Sequence, residues 1–143
     1  MPLPADQAIL LVEDSPEDRE ATLRAIKKAG LPNPIFWCDD GDKALDFMYQ
    51  RGEYAGPGKA PRPGVILLDL NMPGTDGREV LDVVKKDPNL KSIPIVVLTT
   101  SSDERDIDAF FQSGANSYIV KPVGVDGIVK AVQQLQKFWS FSF

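Results

Sequence analysis

The chain has no histidine and only one cysteine, Cys38. The first absence excludes a Ser-His-Asp triad, histidine acid–base catalysis and histidine-ligated zinc. The second rules out an internal disulfide and leaves Cys38 as a small buried hydrophobe. Long apolar runs are missing too. Glu, Asp, Lys or Pro interrupts every hydrophobic stretch well before the roughly 20 residues needed to cross a bilayer, and Met1-Pro2-Leu3-Pro4 lacks the basic and apolar regions of a secretory leader. A block of basic residues is likewise absent, and with a net charge of -5 the chain offers nothing to neutralise nucleic-acid phosphates. These absences predict a cytoplasmic protein that binds neither membrane nor nucleic acid.

What remains is ample for one core: 143 residues, 43% hydrophobic, with the 26% of charged residues spread along the chain. A single domain is expected over 1–143, with a core from about 8 to 137 and an aromatic tail over 138–143. No stretch is left for an effector domain. Short apolar runs alternate with amphipathic stretches, as strand–helix units of a parallel sheet do. The strand candidates are Ala8 to Val12, Ile35 to Cys38, Val65 to Leu68, Ile93 to Leu98 and Ser117 to Val120. The third is nearly all apolar, as expected of a central strand buried on both faces. Between them, helical spacing joins Ala21, Leu23, Ile26 and Ala29, then Ala44, Leu45 and Met48 over about Gly41 to Arg51, then Val80, Leu81 and Val84. Ile107, Ala109, Phe110 and Phe111 space a fourth helix, and Ile128, Val132 and Leu135 a fifth from about Val125 to Trp139. Ser15 or Asp14 can cap the first helix with Pro16 in its first turn, and Ser102 or Asp103 can cap the fourth. Gly52 to Gly64, rich in Gly and Pro, reads as a surface loop.

In an open parallel sheet, chemistry gathers where the strands' carboxyl ends emerge. That rule selects Glu13 and Asp14 after the first strand, Asp69 after the third, Thr99 after the fourth and Lys121 after the fifth. Three carboxylates in one crevice repel each other unless a cation intervenes, and an all-oxygen donor set suits Mg²⁺. The fixed charge of Lys121 and the hydroxyl of Thr99 then prepare the crevice for an incoming dianion, for which phosphate is the obvious candidate. Taken singly these residues say less. Glu13-Asp14 could merely complement a helix dipole, Asp69 could be a cap, Lys121 a solvated side chain, and Thr99 or Tyr118 an ordinary strand residue.

Taken together, Val12-Glu13-Asp14-Ser15, Leu68-Asp69-Leu70-Asn71-Met72-Pro73-Gly74-Thr75-Asp76-Gly77, Leu98-Thr99-Thr100 and Val120-Lys121-Pro122 resemble the four motifs of response-regulator receiver domains. The resemblance covers nearly the whole chain. It implies a flavodoxin-like, doubly wound α/β fold, a five-stranded parallel sheet of order 2-1-3-4-5 with helices on both faces. It implies phosphorylation of Asp69 by a separate histidine kinase, with Mg²⁺ held by Asp14, Asp69 and the backbone carbonyl of Asn71, and by Glu13 through water. Lys121 would pair with the phosphoryl oxygens, Thr99 would swing toward them, and Tyr118 would turn inward behind it. A cis bond before Pro122 is implied as well. Thr100 stands where the family usually has a smaller residue such as Ala, which would restrain access or loop movement. Neither Asn71 nor Ser101, where the family tunes phosphoaspartate hydrolysis, carries a charge.

The long Gly52 to Gly64 loop, Gly77-Arg78-Glu79-Val80-Leu81 and the Phe138-Trp139 ending resemble the small regulators that serve phytochrome-type kinases. That subgroup implies a homodimer through the fourth helix, fifth strand and fifth helix, with Phe138 and Trp139 contributing, although the aromatic tail could equally cover the chain's own core. Output would pass to a downstream protein or a phosphorelay partner. Two other classes compete. A dehalogenase-type phosphotransferase also uses an Asp at a strand end, but needs a second Asp two residues on, where this chain has Asn71. A degenerate receiver acting only as a binding module is disfavoured by the intact Asp14, Asp69, Thr99 and Lys121.

Overall fold

A computed structural model describes residues 6–70 and 77–140, with side chains described as far as 135. Asn71 lies outside the described residues, as do the side chains of Phe138 and Trp139. The strands are β1 (Ala8–Val12), β2 (Ile35–Cys38), β3 (Pro63–Asp69), β4 (Ile95–Thr99) and β5 (Ser117–Val120). The helices are α1 (Pro16–Lys28), α2 (Gly41–Tyr49), α3 (Gly77–Lys86), α4 (Glu104–Gln112) and α5 (Val125–Ser140). The strands form one sheet of order β2-β1-β3-β4-β5, every pair parallel. This is the expected doubly wound order.

Strand alternation divides the core. Leu10, Val12, Ile66, Leu68, Ile95 and Val97 pack toward α2, α3 and Phe110 of α4. Ile9, Leu11, Val65, Leu67, Val96, Leu98 and Ile119 face Ala25 and Ile26 of α1 and Ile128, Ala131 and Leu135 of α5. Because both faces are covered, the central strands are apolar up to their carboxyl-end residues Asp69 and Thr99, and β1, β3 and β4 are buried at every position. Among the described residues no helix is long and apolar enough to cross a membrane.

Local chemistry fixes the element ends. Ser15 caps α1, its hydroxyl accepting from the Asp18 amide at 3.3 Å, with Pro16 in the first turn. Asp103 rather than Ser102 caps α4. Helix α2 stops at Tyr49, two residues before the expected Arg51, because Gln50 turns left-handed at φ 54°. The expected loop after it contains a 3-10 turn, Gly52–Tyr54, whose Tyr54 packs edge-on to Phe47 and brings its hydroxyl to 3.5 Å from Cys38 Sγ. Helix α4 buries only Phe110; Phe111, expected on its apolar face, is 44% exposed and meets Tyr118 edge to face.

At the rim opposite the strands' carboxyl ends, Lys85 of α3 donates to the carbonyls of Lys91 and Ile93 and to Asn116 Oδ1. Asn116 Oδ1 also accepts from the Ile95 amide, so one lysine and one amide join the starts of β4 and β5.

Candidate phosphoacceptor site

The carboxyl ends of β1, β3, β4 and β5 deliver Glu13, Asp14, Asp69, Thr99 and Lys121 to one crevice. One carboxylate oxygen from each of Glu13, Asp14 and Asp69 lies within 4.8 Å of the others. Glu13 and Asp69 are buried and Asp14 is half-buried. The Lys121 ammonium enters from the far side, 2.7 Å from Glu13 Oε1 and 3.4 Å from Asp69 Oδ2. The crevice therefore holds more negative charge than its lysine can balance. Burial, reinforced by the neighbouring Asp69, pushes the Glu13 carboxyl from 4.5 up to about 7, against the pull of Lys121. Burial opposes the charge on Lys121, but Glu13, Asp18 and Asp69 together hold its ammonium above the ordinary lysine range.

Backbone bonds position these groups. The Glu13 amide donates to the Cys38 carbonyl at 3.0 Å, and the Lys121 amide to the Thr99 carbonyl at 2.7 Å, which ties each loop to the neighbouring strand. Gly77 opens α3 against the end of β3; a Cβ there would lie 2.2 Å from the Asp69 carbonyl oxygen. The close approach requires glycine. The bond between Lys121 and Pro122 is cis, as the resemblance implies. Thr99 is buried and its hydroxyl accepts from the Ser101 amide at 3.0 Å, while Thr100 is exposed. Tyr118 is half-buried on β5 against Phe111.

Two contributors were not foreseen from the sequence. Asp18, one turn into α1, accepts from Lys121 Nζ at 3.0 Å across 103 residues of chain. Its sequence signal is only that of an acid in the first turn of α1, where it complements the helix dipole. Trp37 on β2 donates its indole N–H to the Glu13 carbonyl at 2.7 Å, and the Arg19 guanidinium lies 3.9 Å from its ring centroid. No pattern in the strand marks it.

The donor set fits a hard divalent cation: acidic oxygens, close together, with too little positive charge nearby. Residues 9–133 match the response regulator receiver domain family. The chain belongs to that family. It is 42% identical over 133 residues to the response regulator Rcp1 of Synechocystis sp., covering 93% of this chain and 88% of Rcp1. It is 44% identical to the bacteriophytochrome response regulator AtBRR, with a TM-score of 0.84 and coverage of 95% and 96% of the two chains. The phosphorylated cyanobacterial phytochrome response regulator RcpA shares 39% identity at a TM-score of 0.76, with 96% of each chain covered. Rcp1 has also been solved in an Mn(2+)-bound form, TM-score 0.74, 42% identical over 93% of this chain and 94% of that one.

Proposed function

We propose that the chain takes a phosphoryl group onto Asp69 from the phosphohistidine of a phytochrome-type histidine kinase and signals through the resulting change in the crevice. An Asp69 carboxylate oxygen attacks phosphorus and forms an acyl-phosphate P–O bond. The P–N bond breaks, its electron pair stays with the donor imidazole, and that ring takes a proton from solvent. The single observation that carries the reading is the Lys121 ammonium 3.4 Å from Asp69 beside the cluster of Glu13, Asp14 and Asp69 carboxylates.

Asp14, Asp69 and the Asn71 backbone carbonyl would hold Mg²⁺, with Glu13 acting through water. When bound, the ion supplies positive charge that offsets the carboxylates and the phosphoryl oxygens. Lys121 pairs with those oxygens, since it already sits beside the acceptor. The Thr99 hydroxyl leaves the Ser101 amide to donate to the phosphoryl group, and Tyr118 follows inward while exposed Thr100 limits the loop's travel. The protein's work is placement and charge, as a loose phosphoryl-transfer transition state requires. The kinship with phytochrome-associated regulators supports the kinase class, a homodimer involving Phe138 and Trp139, and output to another protein or a phosphorelay.

The test is transfer of labelled phosphoryl from a panel of histidine kinases, with and without Mg²⁺. Uptake by the wild type, strict dependence on the metal and complete loss in Asp69→Asn are expected. Label retained in Asp69→Asn would remove that residue from its role, and turnover of small phosphoesters would favour the dehalogenase-type reading.

A further inference from the structure

The Lys121 ammonium has three N–H bonds and three carboxylates around it. Glu13 at 2.7 Å, just past β1, and Asp69 at 3.4 Å, at the end of β3, have side chains 0% and 4% exposed. Asp18 at 3.0 Å belongs to α1 and is 46% exposed. Its backbone is fixed in the helix: its amide donates to the Ser15 hydroxyl and its carbonyl accepts from the buried Thr22 hydroxyl at 2.9 Å. The buried pair already places two carboxylates within 3.4 Å of the ammonium. The added bond from Asp18 is closer than the bond to the phosphoacceptor and draws the ammonium toward the helix.

We infer that Asp18 is a positioning residue that restrains phosphorylation by holding part of the Lys121 ammonium away from an incoming phosphoryl group. The inference rests on the phosphoacceptor reading of Asp69. An arriving dianion must win an N–H bond from Asp18 and must also approach a carboxylate that adds repulsion without taking part in the chemistry. Asp18→Asn keeps an acceptor at that place and removes the charge, so Lys121 stays in the crevice while its hold on α1 weakens. A partly exposed ion pair has the strength for a modest effect, about two- to fivefold.

The experiment measures phosphorylation of the full chain by acetyl phosphate with Mg²⁺, in which the Asp69 oxygen displaces acetate from phosphorus. Rates are taken across donor concentration at low and high salt. Asp18→Asn is expected to lower the donor concentration for half-maximal rate by about two- to fivefold, with the maximal rate little changed and the difference shrinking as salt screens the charge. Glu20→Gln serves as the control, because Glu20 lies on the same helix, pairs among the described residues with exposed Arg24 and changes net charge equally. An equal gain in Glu20→Gln, or no gain or a loss in Asp18→Asn, overturns the inference while leaving the role of Asp69 intact. A wild type that takes up no phosphoryl group overturns the function itself, and the restraint with it.

Discussion

Without a divalent metal, this protein should become less stable as pH rises from about 4.5 to 7, the reverse of the usual behaviour of a paired carboxylate. The perturbed group is Glu13, fully buried beside Asp69, whose carboxyl stands at about 7 in the folded chain against 4.5 ordinarily. Over that interval the folded state binds a proton that the unfolded state has released. The stabilisation is therefore complete below 4.5, declines through the interval and is gone above 7. The displacement corresponds to about 3 kcal/mol. The exposed carboxyls Asp87 and Asp103, lowered chiefly by Tyr49 and Arg105, act at lower pH, and Lys121, raised by its carboxylates, acts in the alkaline range. The assay is urea denaturation at half-unit steps of pH in EDTA, for the wild type and for Glu13→Gln, which carries no titrating carboxyl. The wild type should lose stability across the interval and the variant should not. Added Mg²⁺ should flatten the wild-type slope, since binding favours the ionised carboxylates. A wild-type profile that is level or rising in EDTA, or one that Glu13→Gln reproduces, would refute the reasoning.

Three further outcomes follow from the geometry. Lys121→Met, which leaves Glu13 and Asp69 buried without their cation, should cost about 3 kcal/mol of metal-free stability at pH 8, while calorimetry should show tighter Mg²⁺ binding. Gly77→Ala forces a Cβ to within 2.5 Å of the Leu70 Cα as well as onto the Asp69 carbonyl, so it should cost about 3 kcal/mol in thermal denaturation and reduce phosphoryl uptake. Trp37→Phe removes the indole bond to the Glu13 carbonyl, which should cost about 1 kcal/mol; a change in tryptophan fluorescence on adding Mg²⁺ is expected in the wild type and should be lost in the variant. Persistence of that change in the variant would assign it to Trp139.

The fold was legible because its signals are local and repeat: five apolar runs, each followed by a helical stripe, leave few alternatives to a parallel sheet. The crevice was legible because chain order and sheet order together decide which loops meet. Glu13, Asp69 and Lys121 lie far apart in sequence yet could be placed at one rim before any distance was known. What escaped depends on side-chain reach. Asp18 reads as one more acid in a helix's first turn until the lysine's position is known, and Trp37 reads as a strand residue until its ring is seen to turn along the edge toward Glu13. On α4, helical spacing offered Ile107, Ala109, Phe110 and Phe111 alike, but the sheet has room for Phe110 alone. Periodicity marks an apolar stripe, whereas the partner surface decides its width.

The anchoring by Lys85 and Asn116 bears on how the molecule can deform. The starts of β4 and β5 are stapled to the end of α3, so a rigid slide of the neighbouring segments would break those bonds. Any shift that keeps those bonds intact is smallest at the staple and larger toward the opposite rim, where Thr99 and Lys121 stand.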